Sequence, residues 1–444
     1  MSFIRTFNPA ILLGDRLGIA LYGMFVEAYL SNNLGIEKEI YNKFISGFPC
    51  EIKEHTPENF KKLIDSILKY GFQENNPVFC NPDEYSLLNG SHRCAIAFQL
   101  GIKKVPYVLR YCDNYVDEQD IEKLLGKNFY DKVVAKRLEY INRCEPMIAL
   151  KCKLRIHIRK HKESFLAPFS SSTKIPALRT YQAYESLQIK GKRPAQLRAE
   201  IYEVSKYLTS NMNVLEIGCN VGFFSLVISD FVRSVMAFDV DNNYIKVAEI
   251  VRSFCKIENC NFSTISVLDF KAGECFDCVI STAIHGWTKL PFNSYMEKIT
   301  GWLIPGGILI FESHELDVEK SWPEKRNFIA KNFDILSSGI IDDIDTNLYQ
   351  SEYREYLILR KRYNYNYTGL PFENASDPND LVSLRSNWKS EIVSASYSFN
   401  SSIKNLIKSI FMLLKSFTPP FARSQIKKIV RLFNKNPRSK LRDI

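Results

Sequence analysis

The sequence predicts an α/β protein with two folded units of unequal size. Between about residues 195 and 362, apolar strand-like segments alternate with helical patterns, which predicts a parallel sheet with helices on both faces. A smaller α+β pattern of helices and short strands precedes it in residues 1–145. At the end of the chain, residues 401–444 carry eleven Lys and Arg and one acid, which equals the net charge of +10 for all 444 residues.

Two further segments complete the predicted organisation. Residues 146–194 contain a basic run and are predicted to be a linker. Residues 363–444 are predicted to be a polar loop and a tail of two basic amphipathic helices separated by Pro419 and Pro420. Such helices suit an anionic membrane surface, although docking on the folded body, an assembly partner or nucleic acid stays open. No apolar run approaches the roughly 18 residues that span a bilayer.

The cysteines argue for a reducing compartment. Eleven are scattered without a regular spacing, and the first residues lack a charged-then-apolar leader. We therefore expect free thiols in a cytoplasmic protein that lies on the inner membrane face through its tail. Cys275 and Cys278 form a CxxC pair that leads into an apolar strand without a second ligand pair nearby, so we expect packing rather than zinc, and no metal site.

Local patterns place the individual elements. A capped helix begins at Thr56 and ends at Gly71. Further helices are predicted over residues 91–100 and 124–141. Strands are predicted at residues 77–80, 85–88, 105–109, 214–217, 235–238, 261–266, 276–280 and 308–311.

The strongest functional signal is the segment from Val214 to Gly222. An apolar strand ends at Glu216, two glycines follow four residues apart, and a helical pattern begins. The glycines let the backbone approach a ligand, and Glu216 can accept hydrogen bonds from an ammonium or hydroxyl group. The spacing E-x-G-x-x-x-G differs from the G-x-G-x-x-G of dinucleotide-binding turns, which predicts a ligand without a pyrophosphate.

A second acid follows at the expected distance. Asp239 ends a strand about 20 residues after the glycine turn, where a carboxylate can bind both ribose hydroxyls, and Asp241 is the alternative. Together with residues 267–270, 276–281 and 303–312, these motifs resemble class I S-adenosylmethionine (SAM) methyltransferases. The resemblance implies SAM as cofactor, bound by Glu216, Gly218, Asn220, Gly222, Asp239 and, at the adenine, Asp269.

Methylation of a hydroxyl group requires a base. His285, just past the fourth strand of this unit, is the first candidate, and Glu312 and His314, past the fifth, come next. A phosphate acceptor would need cations instead, which Arg193 and Arg198 can supply.

The acceptor class follows from a resemblance. The segment with Arg193 and Arg198, and residues 311–315, are similar to methyltransferases encoded in bacterial surface-polysaccharide clusters. This implies a polysaccharide acceptor such as O-antigen.

A second glycine turn occurs in the N-terminal unit. A strand stops at Asn89, and a helix begins after Gly90 with Ser91, His92 and Arg93 in its first turn. Free backbone N–H groups, an imidazole and a guanidinium converge there, which predicts a phosphate-binding cradle.

This turn resembles the D-G-x-H-R pattern of ParB/sulfiredoxin-like domains, over about residues 50–112. The resemblance implies a bound nucleotide, ATP with Mg²⁺ first among them, and leaves the reaction open. Ser91 stands where sulfiredoxins carry their nucleophilic cysteine, which argues against sulfinic-acid repair. For a kinase, His92 and Glu54, or Glu51, are the candidate catalytic groups.

The leading hypothesis from sequence is a bifunctional enzyme. Its N-terminal unit would phosphorylate a surface polysaccharide, and the second unit would methylate the acceptor or the new phosphate, which would cap the growing chain. One alternative is a nucleic-acid-binding methyltransferase. Against it, residues 281–284 lack an Asp/Asn-Pro-Pro-Tyr-type motif. Another alternative is a methyltransferase with a non-catalytic nucleotide-sensing domain.

Overall fold

The computed structural model describes residues 5–47, 55–73, 76–80, 87–109, 118–165, 179–345 and 350–363. The chain divides into two compact units, residues 1–373 and 374–444. Residues 374–444 lie outside the described residues, and with them the predicted basic helices of the tail. Glu51 and Glu54, the candidate kinase residues, also fall outside them.

The N-terminal region contains a four-stranded sheet of order β1-β4-β2-β3, in which β2 and β4 are parallel and the outer strands antiparallel. The strands are β1 (Arg5–Phe7), β2 (Val78–Cys80), β3 (Leu87–Asn89) and β4 (Val105–Leu109). A 3-10 helix spans Pro9–Gly14. The helices are α1 (Leu17–Leu30), α2 (Ile36–Ser46), α3 (Pro57–Tyr70), α4 (Ser91–Gln99), α5 (Glu118–Leu125) and α6 (Lys127–Asn142).

Both ends of helix α3 are set by residues that the sequence marks as helix caps. The Thr56 side chain accepts a hydrogen bond from the Asn59 amide at 3.1 Å, and Gly71, with φ of +73°, ends the helix. Phe60 and Ile64 are buried, whereas Leu68 is 50 % exposed. The single helix predicted over residues 124–141 is two helices, because Gly126 interrupts it with φ of +76°.

Helix α1 had no counterpart in the sequence prediction. It is apolar on nearly every face and packs against α2, α4 and α6. A helix that is buried all round has no polar stripe and therefore no 3.6-residue periodicity to detect.

The predicted linker is largely ordered secondary structure. Its first part is helix α7 (Pro146–Lys160), whose Leu150, Leu154 and Ile158 belong to the core around the large sheet. Cys152 on the same helix belongs to the N-terminal core. Helix α7 therefore contributes to both cores. Its many basic residues hide the apolar stripe from a reading of the sequence. Helix α8 (Lys162–Phe165) follows, then the parallel pair β5 (Arg179–Ala183) and β6 (Lys190–Pro194).

The second region is built on a seven-stranded sheet of order β12-β13-β11-β10-β7-β8-β9. Its strands are β7 (Asn213–Ile217), β8 (Ser234–Asp239), β9 (Cys260–Thr264), β10 (Phe276–Thr282), β11 (Leu303–Glu312), β12 (Phe333–Asp345) and β13 (Gln350–Lys361). All five strands predicted here are confirmed. β13 runs antiparallel to β11 and β12, which departs from the predicted parallel arrangement.

Helices cover both faces of this sheet, as predicted. They are α9 (Ala195–Ile201), α10 (Val204–Tyr207), α11 (Phe223–Ile228), α12 (Asn242–Cys255), α13 (Phe292–Trp302) and α14 (Trp322–Asn332). Successive strand residues alternate between two apolar layers, so that Val214 packs on one side and Leu215 on the other. Parallel strands bring their carboxyl ends to one edge, which places Glu216, Asp239 and Glu312 there.

Within the part of the chain that the structure describes, no helix combines the length and apolarity needed to cross a membrane.

Candidate active site

The glycine turn between β7 and α11 is packed against its own chain. Gly218 and Gly222 have φ of +68° and +70°, a region that L side chains rarely adopt. A Cβ at Gly218 would lie 2.5 Å from Ile284 Cδ1, and one at Gly222 would lie 2.5 Å from Phe262 Cε1. The Cβ positions of these glycines face Ile284 and Phe262, so the packing of the turn itself requires glycine, and close approach of a ligand stays a prediction.

Glu216, at the end of β7, has an unsatisfied carboxylate oxygen. The side chain is 1 % exposed, its Oε2 accepts a hydrogen bond from Ser225 Oγ, and its Oε1 has no partner. Burial, with a contribution from Asp239, raises the pKa of Glu216 to about 8. Buried polar atoms are nearly always paired in proteins, so the bare oxygen suits a cationic group of a ligand.

Asp239 occupies the corresponding position at the end of β8. Its Oδ2 accepts a hydrogen bond from the Asn220 amide at 2.9 Å, and its Oδ1 accepts one from the Asp241 amide at 3.0 Å. Asp241 instead caps α12 by accepting from the Asn243 amide at 2.8 Å. Of the two acids left open by the sequence, Asp239 is thus the one built into the glycine turn.

Asp269 and Asn220 lie at the same edge of the sheet. Asp269, past β9, is exposed, and its Oδ2 accepts a hydrogen bond from Ser266 Oγ at 2.6 Å. Asn220 has φ of +53°, and its Oδ1 is buried without a hydrogen-bond partner.

Gln182, on β5, braces the glycine turn and was missed by the sequence analysis. Its Oε1 accepts a hydrogen bond from the Phe223 amide at 2.8 Å, and its Nε2 donates to the Cys219 carbonyl at 3.2 Å. Gln182 lies in the segment predicted to be a linker, where no pattern marked it.

Arg193 and Arg198 are enclosed in the protein. Each is 6 % exposed, and they pair with Glu312 at distances of 2.9 Å (Arg193 Nη2 to Oε1) and 2.5 Å (Arg198 Nη1 to Oε2). Their charge is already engaged by a buried carboxylate, and binding of the acceptor by these arginines stays a prediction. Tyr202 also donates its hydroxyl to Glu312.

Glu312 is equally unsuited to the role of base. Burial alone would raise its pKa, but Arg193, Arg198 and Arg354, with the Tyr202 hydroxyl, lower it to about 2. A carboxylate held ionised so firmly has little affinity for a proton at neutral pH.

His285 is held by a carboxylate that the sequence analysis missed. It lies in a 3-10 helix, His285–Trp287, and is 4 % exposed. Its Nε2 lies 2.6 Å from Glu319 Oε1, and its Nδ1 is buried without a partner. Because a carboxylate only accepts, Nε2 is the nitrogen that carries the proton in the neutral imidazole, and Nδ1 is the nitrogen with the lone pair. The neighbouring Ile284 packs on Gly218, which joins His285 to the glycine turn.

Two neighbours hold Glu319 in its ionised form. Lys325 Nζ lies 2.7 Å from its Oε1, and its Oε2 accepts a hydrogen bond from the His314 amide at 2.9 Å. Burial acts to raise the pKa of Glu319, but His285, His314 and Lys325 together hold it well below the ordinary value.

His314 is not available as a base. Its Nε2 accepts a hydrogen bond from the Gly286 amide at 2.9 Å, and burial, with His285 nearby, lowers its pKa well below the ordinary value.

The N-terminal glycine turn brings the predicted cradle residues together but pairs two of them internally. Gly90 has φ of +98°, and Ser91 begins α4. Arg93 Nη1 donates to the Asn76 carbonyl at 2.5 Å and to its Oδ1 at 2.7 Å. His92 Nε2 lies 3.1 Å from the Tyr41 hydroxyl, and its ring stacks on Tyr22 with centroids 3.9 Å apart.

Burial, with His55 nearby, lowers the pKa of His92 to about 3. It is therefore a neutral imidazole at pH 7 and contributes no positive charge to a phosphate. Among the described residues, no group of three or more His, Cys, Asp or Glu is placed to hold a metal ion.

Comparison with known proteins decides the class of the second region. A family model described as a methyltransferase domain matches residues 208–357. Residues 208–357 form a class I SAM-dependent methyltransferase domain. The bare Glu216 oxygen and the Asp239 carboxylate, at adjacent strand ends, fit the ammonium and ribose of that cofactor. The match does not extend to the N-terminal region, and no curated protein matches the chain.

Solved structures similar to part of this chain include several methyltransferases. The N-methyltransferase NodS from Bradyrhizobium japonicum WM9 is 17 % identical, over 37 % of this chain and 93 % of NodS, with a TM-score of 0.32. An rRNA methylase from Streptococcus thermophilus is 16 % identical, over 38 % of this chain and 98 % of its own, with a TM-score of 0.31.

Proposed function

We propose that this protein methylates a hydroxyl group of a glycan, with His285 as the proton acceptor. SAM, when bound, supplies a methyl group on a sulfonium, which is already electrophilic. The protein's task is to hold the acceptor in line and remove its proton. Glu216 and Asp239 are assigned to the methyl donor, and His285 to the acceptor.

The observation that carries the base assignment is the pair His285–Glu319. With Nε2 donating to Glu319 at 2.6 Å, the imidazole is fixed in orientation and tautomer, and Nδ1 is its remaining basic atom. As His285 takes the acceptor proton at Nδ1, the ionised Glu319 stabilises the imidazolium that forms. Lys325, 2.7 Å from Glu319, favours the ionised carboxylate throughout.

A hydroxyl acceptor suits this site better than a phosphate. A phosphate would need free cations, and the arginines proposed for that purpose, Arg193 and Arg198, are enclosed around Glu312. A hydroxyl needs a base, which the geometry of His285 provides.

The glycan assignment is supported by the polysaccharide-cluster resemblance and by Trp287. This indole is 42 % exposed, two residues after His285, and its ring centroid lies 6.4 Å from that of His314. An exposed aromatic face beside the base offers a stacking surface for the apolar face of a sugar ring.

The kinase activity stays a prediction from sequence. Its candidate base Glu54 lies outside the described residues, and His92 is neutral and held by Tyr41 and Tyr22. Binding of the tail to an anionic membrane also stays a prediction from sequence, because the tail lies outside the described residues.

The test is mass spectrometry of products formed from labelled SAM with a panel of glycans and, separately, with DNA and RNA, using the full chain and His285→Asn. General-base catalysis is worth about 10²–10⁴-fold, so we expect a turnover loss of that order while the affinity for S-adenosylhomocysteine stays unchanged. Glu319→Gln should give a smaller loss and move the pH–rate profile. Undiminished turnover by His285→Asn, or methyl groups found on nucleic acid rather than glycan, would overturn the proposal.

A further inference from the structure

Arg155 on helix α7 is a buried guanidinium without a hydrogen bond. The side chain is 7 % exposed, and its Nε and Nη1 atoms are sealed from solvent and unpaired. Burying a charge without a partner costs several kcal/mol in proteins, and buried guanidinium groups are normally paired. Nothing in the methyltransferase chemistry uses this residue, which lies on the other side of α7 from the stripe that packs against the large sheet.

The surroundings of Arg155 are tightly built. The 3-10 helix Pro9–Gly14 ends against α7, where a Cβ on Gly14 would lie 2.6 Å from Cys152 Cα and 3.2 Å from Arg155 Cβ. Glycine is therefore required for this close approach. The contact places the loop that follows, beginning with Asp15, beside the guanidinium.

The charge of Arg155 is incompletely balanced by its neighbours. Asp15 is fully buried and forms an ion pair with Arg159, one helical turn further along α7. Burial lowers the pKa of Arg155, Asp15 opposes this, and Arg159 lowers it further. The single negative charge of Asp15 therefore cannot balance both guanidinium groups.

We propose that Arg155 anchors an oxyanion-binding site between the 3-10 helix Pro9–Gly14 and α7, and that its ligand is a phosphate group. A guanidinium carries several N–H donors and a fixed positive charge, so a charge-assisted bond to a phosphate oxygen would pair a donor that is now bare. The proposal is independent of the methyltransferase assignment and of the Gly90 turn.

The site is tested with the full chain by calorimetric titration and thermal unfolding at constant ionic strength, using inorganic phosphate, ATP and adenosine as probes. Inorganic phosphate and ATP should both raise the melting temperature, since a ligand that binds only the folded state stabilises it. Adenosine should not. ATP acting more strongly than phosphate would identify a nucleotide as the source of the group, and equal effects would identify free phosphate.

Arg155→Met separates a ligand site from an internal ion pair. It should weaken phosphate binding at least about tenfold, and without phosphate it should unfold at the same or a higher temperature, since an unpaired buried charge is removed. Arg143→Met is the control, because Arg143 is exposed at the C-cap of α6 and pairs with Glu27 and Glu139. It should keep the phosphate response.

Three outcomes would overturn the proposal. The first is a wild-type protein that responds to neither phosphate nor ATP. The second is a phosphate response that survives in Arg155→Met. The third is an Arg155→Met protein that melts several degrees lower without phosphate, which would make the arginine part of a structural ion pair.

Discussion

The two glycine turns of this chain share a backbone geometry and differ in how their polar groups are satisfied. At Gly218 and at Gly90, a strand passes through a residue with positive φ and leads to a helix. Around the first turn, Glu216 Oε1 is buried and bare; around the second, Arg93 is bonded to Asn76. The motif therefore identifies a turn, whereas the unpaired polar atom identifies the place for a ligand.

The largest expected effect is that of substituting Glu312. It lies at the same edge of the sheet as Glu216, but both of its carboxylate oxygens are paired. Glu312→Gln should cost about 3–5 kcal/mol of unfolding free energy, because Arg193, Arg198 and Arg354 would lose their buried carboxylate. Chemical denaturation measures this. A loss below about 1 kcal/mol would show that the arginines find other partners.

The contributions of Glu312 and Glu216 to stability should change with pH in opposite directions. The pKa of Glu312, about 2, lies below its ordinary value of 4.5, so the stability it contributes is present above pH 4.5 and is lost as the pH falls towards 2. The pKa of Glu216 is raised to about 8, so its contribution is full below pH 4.5 and is lost as the pH rises through 8.

Glu216→Gln should therefore stabilise the protein by roughly 1–3 kcal/mol at pH 7, and the gain should shrink towards pH 4.5. Chemical denaturation of the wild-type and Glu216→Gln proteins between pH 4.5 and 7 tests the sign of this change in stability. A gain that stays constant with pH would contradict the assignment of the effect to ionisation of Glu216.

Alanine at each glycine compares the two turns directly. Gly218→Ala and Gly90→Ala should each cost about 2–4 kcal/mol, since both force a positive φ on a Cβ that meets a side chain at 2.5 Å, Ile284 and Val78 respectively. S-adenosylhomocysteine affinity should fall only with Gly218→Ala. An equal fall in S-adenosylhomocysteine affinity with Gly90→Ala would show that both turns belong to one ligand site, which would contradict the difference described between them.

The smallest effect is expected at Arg93. Arg93→Ala should cost about 1 kcal/mol of stability through the lost bonds to Asn76, and phosphate affinity should change less than about twofold. A calorimetric phosphate titration checks this. A tenfold loss of phosphate affinity would restore the cradle predicted from the sequence and would contradict the view that Arg93 is structural.

The sequence predicts those features whose cause is local. Strands β7 and β8 are apolar runs between turn residues, and Glu216 and Asp239 are recognisable because a parallel sheet gathers its strand ends at one edge. His285 is identified in the same way, by its position just past β10.

What the sequence does not predict depends on partners that are distant along the chain. Glu319 lies 34 residues from His285, and Gln182 lies 41 residues from Phe223, without a motif to connect either pair. Arg193 and Arg198 look free in sequence because Glu312 follows them by more than a hundred residues. The buried stripe of α7 was hidden by its basic residues.

Calorimetric titration of the full chain and Glu216→Gln, with S-adenosylhomocysteine and 5′-methylthioadenosine, tests the central claim most directly. Both ligands carry the nucleoside, and only the first carries the ammonium assigned to Glu216. We predict that Glu216→Gln weakens S-adenosylhomocysteine binding about 10–100-fold, although it stabilises the protein, and leaves methylthioadenosine binding unchanged. Equal binding of S-adenosylhomocysteine by both proteins would contradict the claim that the bare Glu216 oxygen marks the ligand site.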